Sequence, residues 1–466
     1  LSVVLDDASS VGSAAMGGTA FVGSVTCITG TVSFVNISGL VIVARTSILQ
    51  ASSAGYVTSA LAVTVNYGAG PLIARNVVIA CYDCQITVSS ISYASAVSLT
   101  TNAQTNDLVT SDVSLLVFRA LVMVNTSKDF ASALMIGAVT FPKTVSVTNV
   151  TLAAVDSAVW CTAGDAFATA VAVHAAEFGE LVDVTNATLA AFNSSLTVKT
   201  FGRHAATVMA VLTTELVDSM VADQVTILAW RAILSCTSRF YATSLGVVVN
   251  YGKGRANEVT NSSIVAINCT IDTYAEYNAG TVVILTNNNC CPTTIDRCTL
   301  AMILCAVRST SYAANSITVG TVVTTSPGGF SAVVLILCGE GPIGRSSVLA
   351  SDPGAALVIH NDEFHCGKDY ITATTDRIAR ASLIGWAALQ IDVSSFAATR
   401  SLSVSPRSQT MSLRTRREAS SSPTGGSASI AVVPVTPTRT VTVTDIAKTS
   451  RLSAMIEPAR DGATTV

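Results

Sequence analysis

The chain has 466 residues, of which 50% are hydrophobic and only 12% are charged, and its formal net charge is −3. Phosphate recognition needs clustered Lys and Arg, so this charge argues against a protein that binds nucleic acid. No stretch reaches the roughly 18 uninterrupted apolar residues that a membrane-spanning helix needs, and the sequence therefore predicts no transmembrane helix.

The clearest pattern is an internal repeat. Residues 147–155 (VTNVTLAAV) return 37 residues later as residues 184–192 (VTNATLAAF). A looser match relates residues 48–93 to residues 233–277 at an offset of 184 to 185, which is five times 37. Self-similarity at a fixed period is typical of solenoids, in which each repeat buries its apolar face only by stacking on its neighbours.

A short core, in which a Ser or Thr precedes a Leu or Ile, recurs along the chain. It begins at Ser114, Thr151, Thr188, Thr226, Thr270 and Thr299, with spacings of 37, 37, 38, 44 and 29 residues. We interpret the variable spacing as loops of different length on a solenoid.

Within the repeats the apolar period is close to two, as at Val145 and Val147, and Gly-rich turn sequences separate the apolar runs. This pattern predicts short β-strands joined by tight turns. Residues 165–181 and 208–221 are rich in Ala and Leu, and a helix remains open for both. We prefer strands, because the repeat core follows each segment in phase.

We therefore expect an all-β fold, a parallel β-helix repeat domain over residues 1–399 with 18 to 22 residues per coil. Residues 400–466 are rich in Ser, Thr, Pro and Arg and contain little apolar sequence. Such a segment cannot bury enough apolar surface to offset its ordering entropy. It is predicted to be a mostly disordered tail.

Paired carboxylates were sought because β-helical polysaccharide lyases and glycoside hydrolases place acidic residues on one face of the coil. The candidates are the pair Asp6 and Asp7 and the cluster of His360, Asp362, Glu363 and His365. A solvated chain end is the preferred interpretation of the first. A loop or C-terminal cap is the preferred interpretation of the second, and no catalytic signature supports an enzyme.

The cysteines are too irregularly spaced for a zinc module or a disulfide scaffold. Cys81 and Cys84 have the spacing of half a zinc site, but no second pair follows. The cluster at 290, 291, 298 and 305 is compatible with disulfides or with buried small side chains, and burial is preferred. His174 and His204 each stand alone in Ala-rich surroundings. We predict no metal and no cofactor.

Seven Asn-x-Ser/Thr sequons make the chain a candidate glycoprotein. They lie at Asn36, Asn125, Asn149, Asn186, Asn193, Asn261 and Asn268. Because the repeat places Asn149 and Asn186 at one position, these two side chains are expected on one face. They are predicted to be either glycan sites or members of a stacked asparagine ladder.

Several features carry a resemblance to a known family: the Asn-x-Thr-Leu-Ala-Ala cores, Asn-Cys-Thr-Ile at 268–271, Arg-Cys-Thr-Leu at 297–300, and the Ser/Thr/Pro/Arg tail. The chain resembles the kinetoplastid dispersed-gene-family surface proteins and related membrane-associated β-helix proteins. This resemblance implies a right-handed, pectin-lyase-like parallel β-helix at the cell surface, in contact with extracellular glycans or matrix proteins. The chain departs from that family in lacking transmembrane helices.

These observations together predict a non-enzymatic cell-surface or extracellular β-helix protein for adhesion or display. Two alternatives remain: a β-helical polysaccharide lyase or glycoside hydrolase, and a degenerate gene-family fragment without independent function.

Overall fold

A computed structural model describes the chain as a parallel β-solenoid, and its described residues contain no helix. The described residues are 2–14, 20–21, 25–27, 35–55, 57–66, 71–102, 107–138, 143–177, 179–202, 204–215, 217–250, 257–276, 278–287, 293–296, 298–303, 305–311, 316–324, 347–349, 357–360, 411–413 and 432–434. The chain divides into two compact units, which contain Val3–Ser382 and Leu383–Val466.

Three parallel sheets build the first unit, and each coil from β9 to β32 contributes strands to all three. The main path of sheet A contains β1 (Ser2–Asp6), β6 (Val41–Arg45), β9 (Leu72–Tyr82), β12 (Leu108–Phe118), β15 (Thr144–Val155), β18 (Leu181–Phe192), β22 (Thr226–Trp230), β26 (Ser263–Ile267), β30 (Thr299–Ile303) and β33 (Ser347–Leu349). Four further strands pair with this path or with one another: β5 (Val35–Ser38), β21 (Ser219–Asp223), β25 (Asn257–Thr260) and β29 (Thr293–Asp296).

Sheet B contains β2 (Ser9–Ala14), β7 (Ile48–Ser53), β10 (Gln85–Ser90), β13 (Leu121–Thr126), β16 (Ala158–Ala163), β19 (Ser195–Thr200), β23 (Ile233–Ser238), β27 (Thr270–Ala275), β31 (Ala306–Ser311) and β34 (Leu357–His360). Sheet C contains β3 (Ala20–Phe21), β4 (Val25–Cys27), β8 (Val57–Asn66), β11 (Tyr93–Asn102), β14 (Phe130–Ala138), β17 (Ala168–Glu177), β20 (Ala205–Glu215), β24 (Tyr241–Asn250), β28 (Asn278–Asn287) and β32 (Ser316–Thr324).

In the second unit the structure describes one antiparallel pair, β35 (Met411–Leu413) with β36 (Val432–Pro434). The other residues of the predicted tail lie outside the described part of the chain, as does its predicted boundary at residue 400. The disordered tail therefore stays a prediction.

The predicted β-helix and its 37-residue period are confirmed by the pairing of successive coils. Thr151 pairs with Thr188 and Leu152 pairs with Leu189, so the two copies of the repeat lie directly on each other. The expected coil of 18 to 22 residues is wrong. One coil passes through all three sheets, and Gln85 of β10 therefore pairs with Leu121 of the next coil, 36 residues later.

The strand pairing also corrects the variable spacing of the short core. Thr226 stacks on Ser263, which in turn stacks on Thr299. Thr270 belongs instead to sheet B, where it pairs with Ile233. The irregular spacings of 44 and 29 residues thus arose because Thr270 was included although it belongs to another sheet. The equivalent residues of sheet A, Thr226, Ser263 and Thr299, are 37 and 36 residues apart.

The two segments for which a helix remained open are strands. β17 occupies most of residues 165–181, and β20 occupies the first part of residues 208–221. Both belong to sheet C, in which every strand from β8 to β28 is paired on both sides. The strand preference is confirmed, because the backbone groups of each segment complete the ladders of neighbouring coils.

The core consists of aliphatic side chains that stack on their equivalents from coil to coil. Val150 lies on Ala187, Leu152 on Leu189, and all four are fully buried. Each buried Val or Leu side chain contributes about 1.5 to 3 kcal/mol relative to leaving it exposed. Because small and branched residues share the interior, the three sheets close around it without large aromatic side chains at these positions.

Gly164, between sheets B and C, is held by close contact with the preceding coil. A Cβ atom placed there would lie 1.9 Å from the carbonyl oxygen of Ser127, which is a backbone atom. Gly164→Ala is expected to lower the free energy of unfolding by about 2 to 3 kcal/mol, because the backbone of one coil must move away from the next. Guanidinium denaturation followed by circular dichroism measures this loss.

Ser89→Ala is the matched control, since Ser89 is a half-buried surface position of sheet B. Its expected effect is within about 0.5 kcal/mol. Equal stability of Gly164→Ala and Ser89→Ala would contradict the close approach of the two coils.

Candidate functional site

The corner between sheets A and B carries a row of residues in the left-handed backbone conformation, one per coil. We call this row the corner ladder. Its members are Asp7, Thr46, Asp83, Arg119, Asp156, Asn193, Arg231 and Asn268, and their φ angles lie between 46° and 54°. Asp and Asn tolerate this conformation better than most residues because their short polar side chains bond locally.

Backbone hydrogen bonds fix the corner ladder to the neighbouring coil. The N–H group of Asp83 donates to the carbonyl of Phe118, and that of Arg119 donates to the carbonyl of Val155, both at 2.9 Å. Below each ladder residue a small side chain points into the solenoid, as Ser157 does. Its Oγ donates to the carbonyl of Val155 at 2.7 Å and accepts from the N–H of Ala120 at 3.1 Å.

The ladder side chains point outward and pair along the solenoid. Arg119 donates from Nε and Nη2 to the two carboxylate oxygens of Asp83, at 2.6 and 2.7 Å. In the next pair, Asn193 Nδ2 donates to Asp156 Oδ1 at 3.1 Å. The pKa of Arg119 is raised above its ordinary value, first by the hydrogen bonds to Asp83 and then by the charges of Asp83 and Asp156. Opposite charges thus alternate along this part of the ladder.

A shallow groove of about 670 Å³ follows five coils of this corner, and we call it the corner groove. One wall is the ladder from Thr46 to Asn193. The other is the first outward row of sheet B, which holds Gln85, Leu121 and Ala158. Because equivalent residues of paired strands lie about 4.8 Å apart, the groove offers a polar group to a ligand at each such step.

The outer face of sheet B continues from the groove and is nearly without charge. Over six coils its outward residues are Ile48, Gln50, Ser52, Gln85, Thr87, Ser89, Leu121, Met123, Asn125, Ala158, Trp160, Thr162, Ser195, Thr197, Lys199, Ile233, Ser235 and Thr237. Lys199 is the charged member of this set. Trp160, at the centre, is 40% exposed, which is unusual for a large aromatic side chain on a flat strand face.

A second left-handed row runs along sheet A, and we call it the strand ladder. Its members are Gly39, Asn76, Asp112, Asn149, Asn186, Gln224 and Asn261. Asn186 Nδ2 donates to Asn149 Oδ1, and Asn149 Nδ2 donates to Asp112 Oδ1 at 2.8 Å. The asparagine ladder expected for Asn149 and Asn186 is therefore present.

The two ladders account for the positions of most sequons. Five of the seven asparagines have positive φ, namely Asn149, Asn186, Asn193, Asn261 and Asn268. Asparagine suits the left-handed conformation, and the repeat places Ser or Thr two residues later. The two remaining sequon asparagines, Asn36 and Asn125, are exposed on strands. Glycosylation of any of the seven stays a prediction.

The remaining candidates fall outside the groove. Asp6 ends β1 and Asp7 is the first member of the corner ladder; both are exposed at the start of the chain. His360 is the last residue of β34. Asp362, Glu363 and His365 lie outside the described residues, so the polar cluster they form in sequence stays a prediction.

Seven cysteines are free thiols in the interior: Cys81, Cys84, Cys161, Cys236, Cys269, Cys298 and Cys305. The preferred interpretation of buried packing is confirmed for these seven. Cys290 and Cys291 lie outside the described residues. Among the described residues no three His, Cys, Asp or Glu side chains converge as metal ligands.

The two isolated histidines meet in an aromatic cluster on sheet C. The ring of His174 stacks on Phe130 with a centroid distance of 4.8 Å and contacts the edge of Phe167 at 5.8 Å. His204 packs against the same Phe167 at 4.7 Å. Burial lowers the pKa of His174 to about 3. This histidine is a neutral member of a packed cluster.

The groove itself was missed by sequence reasoning, although a signal for it exists. Asp83, Arg119, Asp156 and Asn193 are separated by 36, 37 and 37 residues. Alignment of the whole chain at the repeat period would have placed them in one row. Sequence motifs consist of residues that are close in sequence, whereas a solenoid assembles a site from residues one coil apart.

Comparison of the chain with protein-family models, with curated proteins and with solved structures found no match. The described residues include no helix with the length and apolar character needed to cross a bilayer.

Substitution of Asn149 tests the left-handed backbone conformation of the strand ladder. Asn149→Ala is expected to be less stable than Asn149→Gly by about 1 kcal/mol, because Ala is disfavoured at the observed φ of 59° whereas Gly is not. Both variants lose the same amide hydrogen bonds to Asp112 and Asn186, so the backbone accounts for the difference. Chemical denaturation measures both. A more stable Ala variant would argue against the left-handed conformation.

The pH dependence of stability tests the burial of His174 in the sheet C cluster. An unfolded histidine binds a proton below its ordinary pKa of 6.5, whereas folded His174 does so only near 3. The unfolded state thus binds more protons between these values, and stability falls as pH drops from 6.5 towards 3. His174→Leu is expected to weaken this pH dependence.

Phe130→Leu is the control for packing, because it removes the ring that stacks on His174 but keeps the histidine. It is expected to lower stability at neutral pH and to retain the fall between pH 6.5 and 4. Unfolding midpoints over this range measure both variants. An unchanged pH dependence in His174→Leu would show that the buried histidine does not contribute.

Proposed function

We propose that this chain is a non-enzymatic cell-surface or extracellular β-solenoid that binds an extended, uncharged polysaccharide along the corner groove. The observation that carries the proposal is the row of mutually paired polar side chains, Asp83 with Arg119 and Asp156 with Asn193, beside the uncharged face that exposes Trp160.

The spacing of the groove supports a polymeric ligand. The ladder presents carboxylate, guanidinium and amide groups at successive coils, about 4.8 Å apart. Together these planar groups supply donors and acceptors, as the hydroxyl groups of a sugar chain require: the carboxylates accept, the guanidinium donates and the amide does both. A ligand with a repeating unit along the solenoid axis can use several of them at once.

The charges of the groove support an uncharged ligand. The guanidinium of Arg119 is compensated by Asp83 and lies near Asp156 as well, so no excess of positive charge remains to attract an acidic polymer. The outer face of sheet B adds hydroxyls, amides and apolar groups. An exposed aromatic ring such as Trp160 combines a large apolar surface with a polar N–H group, which suits the partly apolar face of a sugar ring.

Binding without turnover is supported by the state of the carboxylates. Asp83 is 45% exposed and already bonded through both oxygens to Arg119. Asp156 is exposed and accepts a hydrogen bond from Asn193. A glycosidase keeps one carboxyl group protonated, commonly by placing it in an apolar pocket, and holds the second at a defined distance. Neither described carboxylate has such surroundings.

The proposed location rests on the exposed sequons at Asn36, Asn125 and Asn268 and on the resemblance to kinetoplastid surface proteins. Glycosylation of these asparagines would require passage through a secretory compartment.

Binding is tested with the full chain and a panel of neutral polysaccharides, with one acidic polysaccharide and duplex DNA as competitors. Trp160→Ala and Arg119→Ala are each expected to weaken binding to the neutral ligand about tenfold, a loss of roughly 1.4 kcal/mol. Phe201→Ala is the matched control, because Phe201 is 57% exposed but contacts Lys199 instead of the groove. Fluorescence titration or depletion by the insoluble polymer gives the affinities.

The outcomes separate the alternatives. Equal affinity of all three variants would contradict binding along the corner groove. Release of reducing ends or unsaturated sugars, lost in Asp83→Asn or Asp156→Asn, would favour the lyase or hydrolase. A recombinant chain without cooperative β-sheet melting would favour a degenerate fragment.

A further inference from the structure

Cys81 and Cys84 form a thiol pair beneath the corner ladder. Cys81 is the last inward residue of β9, and Cys84 is the inward residue that follows Asp83. Because Asp83 has a φ of 54°, the chain turns between them and both side chains enter the same part of the core. The two thiols are hydrogen-bonded to each other.

Neighbouring coils hold other residues at these two positions. Strand pairing aligns Cys81 with Ala44 in one neighbour and with Val117 in the other. The position of Cys84 is taken by Ser47 and Ala120 respectively. The corner thus requires only a small inward residue after the ladder position, and a thiol at both positions is a feature of this coil.

The two thiols have different surroundings. The Cys84 thiol donates a hydrogen bond to the carbonyl of Tyr82 at 3.2 Å, and the backbone of Ser47 is a second hydrogen-bond partner. The pKa of Cys84 is lowered, chiefly by the hydrogen bond from the Cys81 thiol. The pKa of Cys81 is raised, first by its hydrogen bond to Cys84 and then by burial. The hydrogen bond with Cys81 thus favours the thiolate of Cys84, which is the nucleophilic form.

Cys84 lies closer to the surface than Cys81 does. It is 4% exposed and lines the corner groove together with Ser47, Gln85 and Arg119, whereas Cys81 is fully buried. Cys161 and Cys236 provide a contrast, since each is almost fully buried and burial raises its pKa. Cys84 and Cys81 are therefore distinguished by their access to the groove as well as by their hydrogen bonds.

We propose that Cys84 and Cys81 are a thiol-modification site that reacts with low-molecular-weight disulfides entering the corner groove. The Cys84 thiolate attacks one sulfur of the disulfide, forms a mixed disulfide and releases one thiolate. Cys81 loses its proton to that thiolate and attacks Cys84 Sγ, which breaks the mixed disulfide and releases the second thiolate. This thiolate takes up the proton that Cys84 gave to solvent. The products are the Cys81–Cys84 disulfide and two molecules of the small thiol, so the two cysteines are oxidised and the small disulfide is reduced.

Labelling of the native, pre-reduced full chain tests the first step. Iodoacetamide followed by peptide mass mapping is expected to modify Cys84 at least ten times faster than Cys161 or Cys236. Equal rates for the three cysteines, or modification of Cys84 only after addition of denaturant, would overturn the proposal.

Oxidised glutathione tests the second step. The wild-type chain is expected to lose two hydrogens and to retain no adduct, whereas Cys81→Ala retains glutathione on Cys84. Cys84→Ser is expected to give neither product. These variants carry the residues found at the same positions in neighbouring coils, Ala44 and Ser47, so the corner keeps side chains that it already accommodates.

Circular dichroism of both variants confirms that they fold. A stable glutathione adduct on the wild-type chain, without the Cys81–Cys84 disulfide, would show that Cys81 does not act as the resolving thiol.

Discussion

The structure depends on one constraint, which is that every residue of a coil must fit directly above and below the equivalent residues of its neighbours. Each coil leaves the N–H and C=O groups of three strands unpaired until the next coil is added, so stacking in register satisfies the backbone. A residue that does not fit therefore destabilises the packing of two coils. Gly164 shows how close this approach is, since the space for its Cβ atom is occupied by a carbonyl oxygen of the preceding coil.

The same constraint determines which polar groups appear at the corners. Residues of the corner ladder stand about one strand spacing apart and point outward, so an uninterrupted row of carboxylates would suffer repulsion. The chain avoids this by placing Arg119 between Asp83 and Asp156 and by following Asp156 with Asn193. The mutual compensation that stabilises the ladder also leaves the groove without excess positive charge. Stability and proposed specificity for an uncharged polymer therefore arise from one arrangement of side chains.

The inner side of the corner follows a different rule. Space is limited there, and the residue that follows each ladder position is Ser, Ala or Cys with little change in the backbone. Ser47, Cys84 and Ala120 illustrate this. Serine and cysteine bond to the carbonyl two residues earlier, as at Ser157 and Cys269. A thiol can therefore replace a hydroxyl without disturbing the fold, and in one coil this replacement placed two thiols in contact beneath the groove.

The sequence by itself determined the parallel β-helix, its 37-residue period, the strands at residues 165–181 and 208–221, and the burial of most described cysteines. These follow from apolar periodicity and from the repeat, which are local properties of the chain. Only the tertiary structure decided that one coil equals one repeat, because the length of a coil depends on how many turns the chain makes before it returns to its starting sheet. For the same reason, only the structure brought Arg119 onto Asp83 and exposed Trp160 on the adjoining face of sheet B. Residues 36 positions apart become neighbours when the intervening chain winds once around the core.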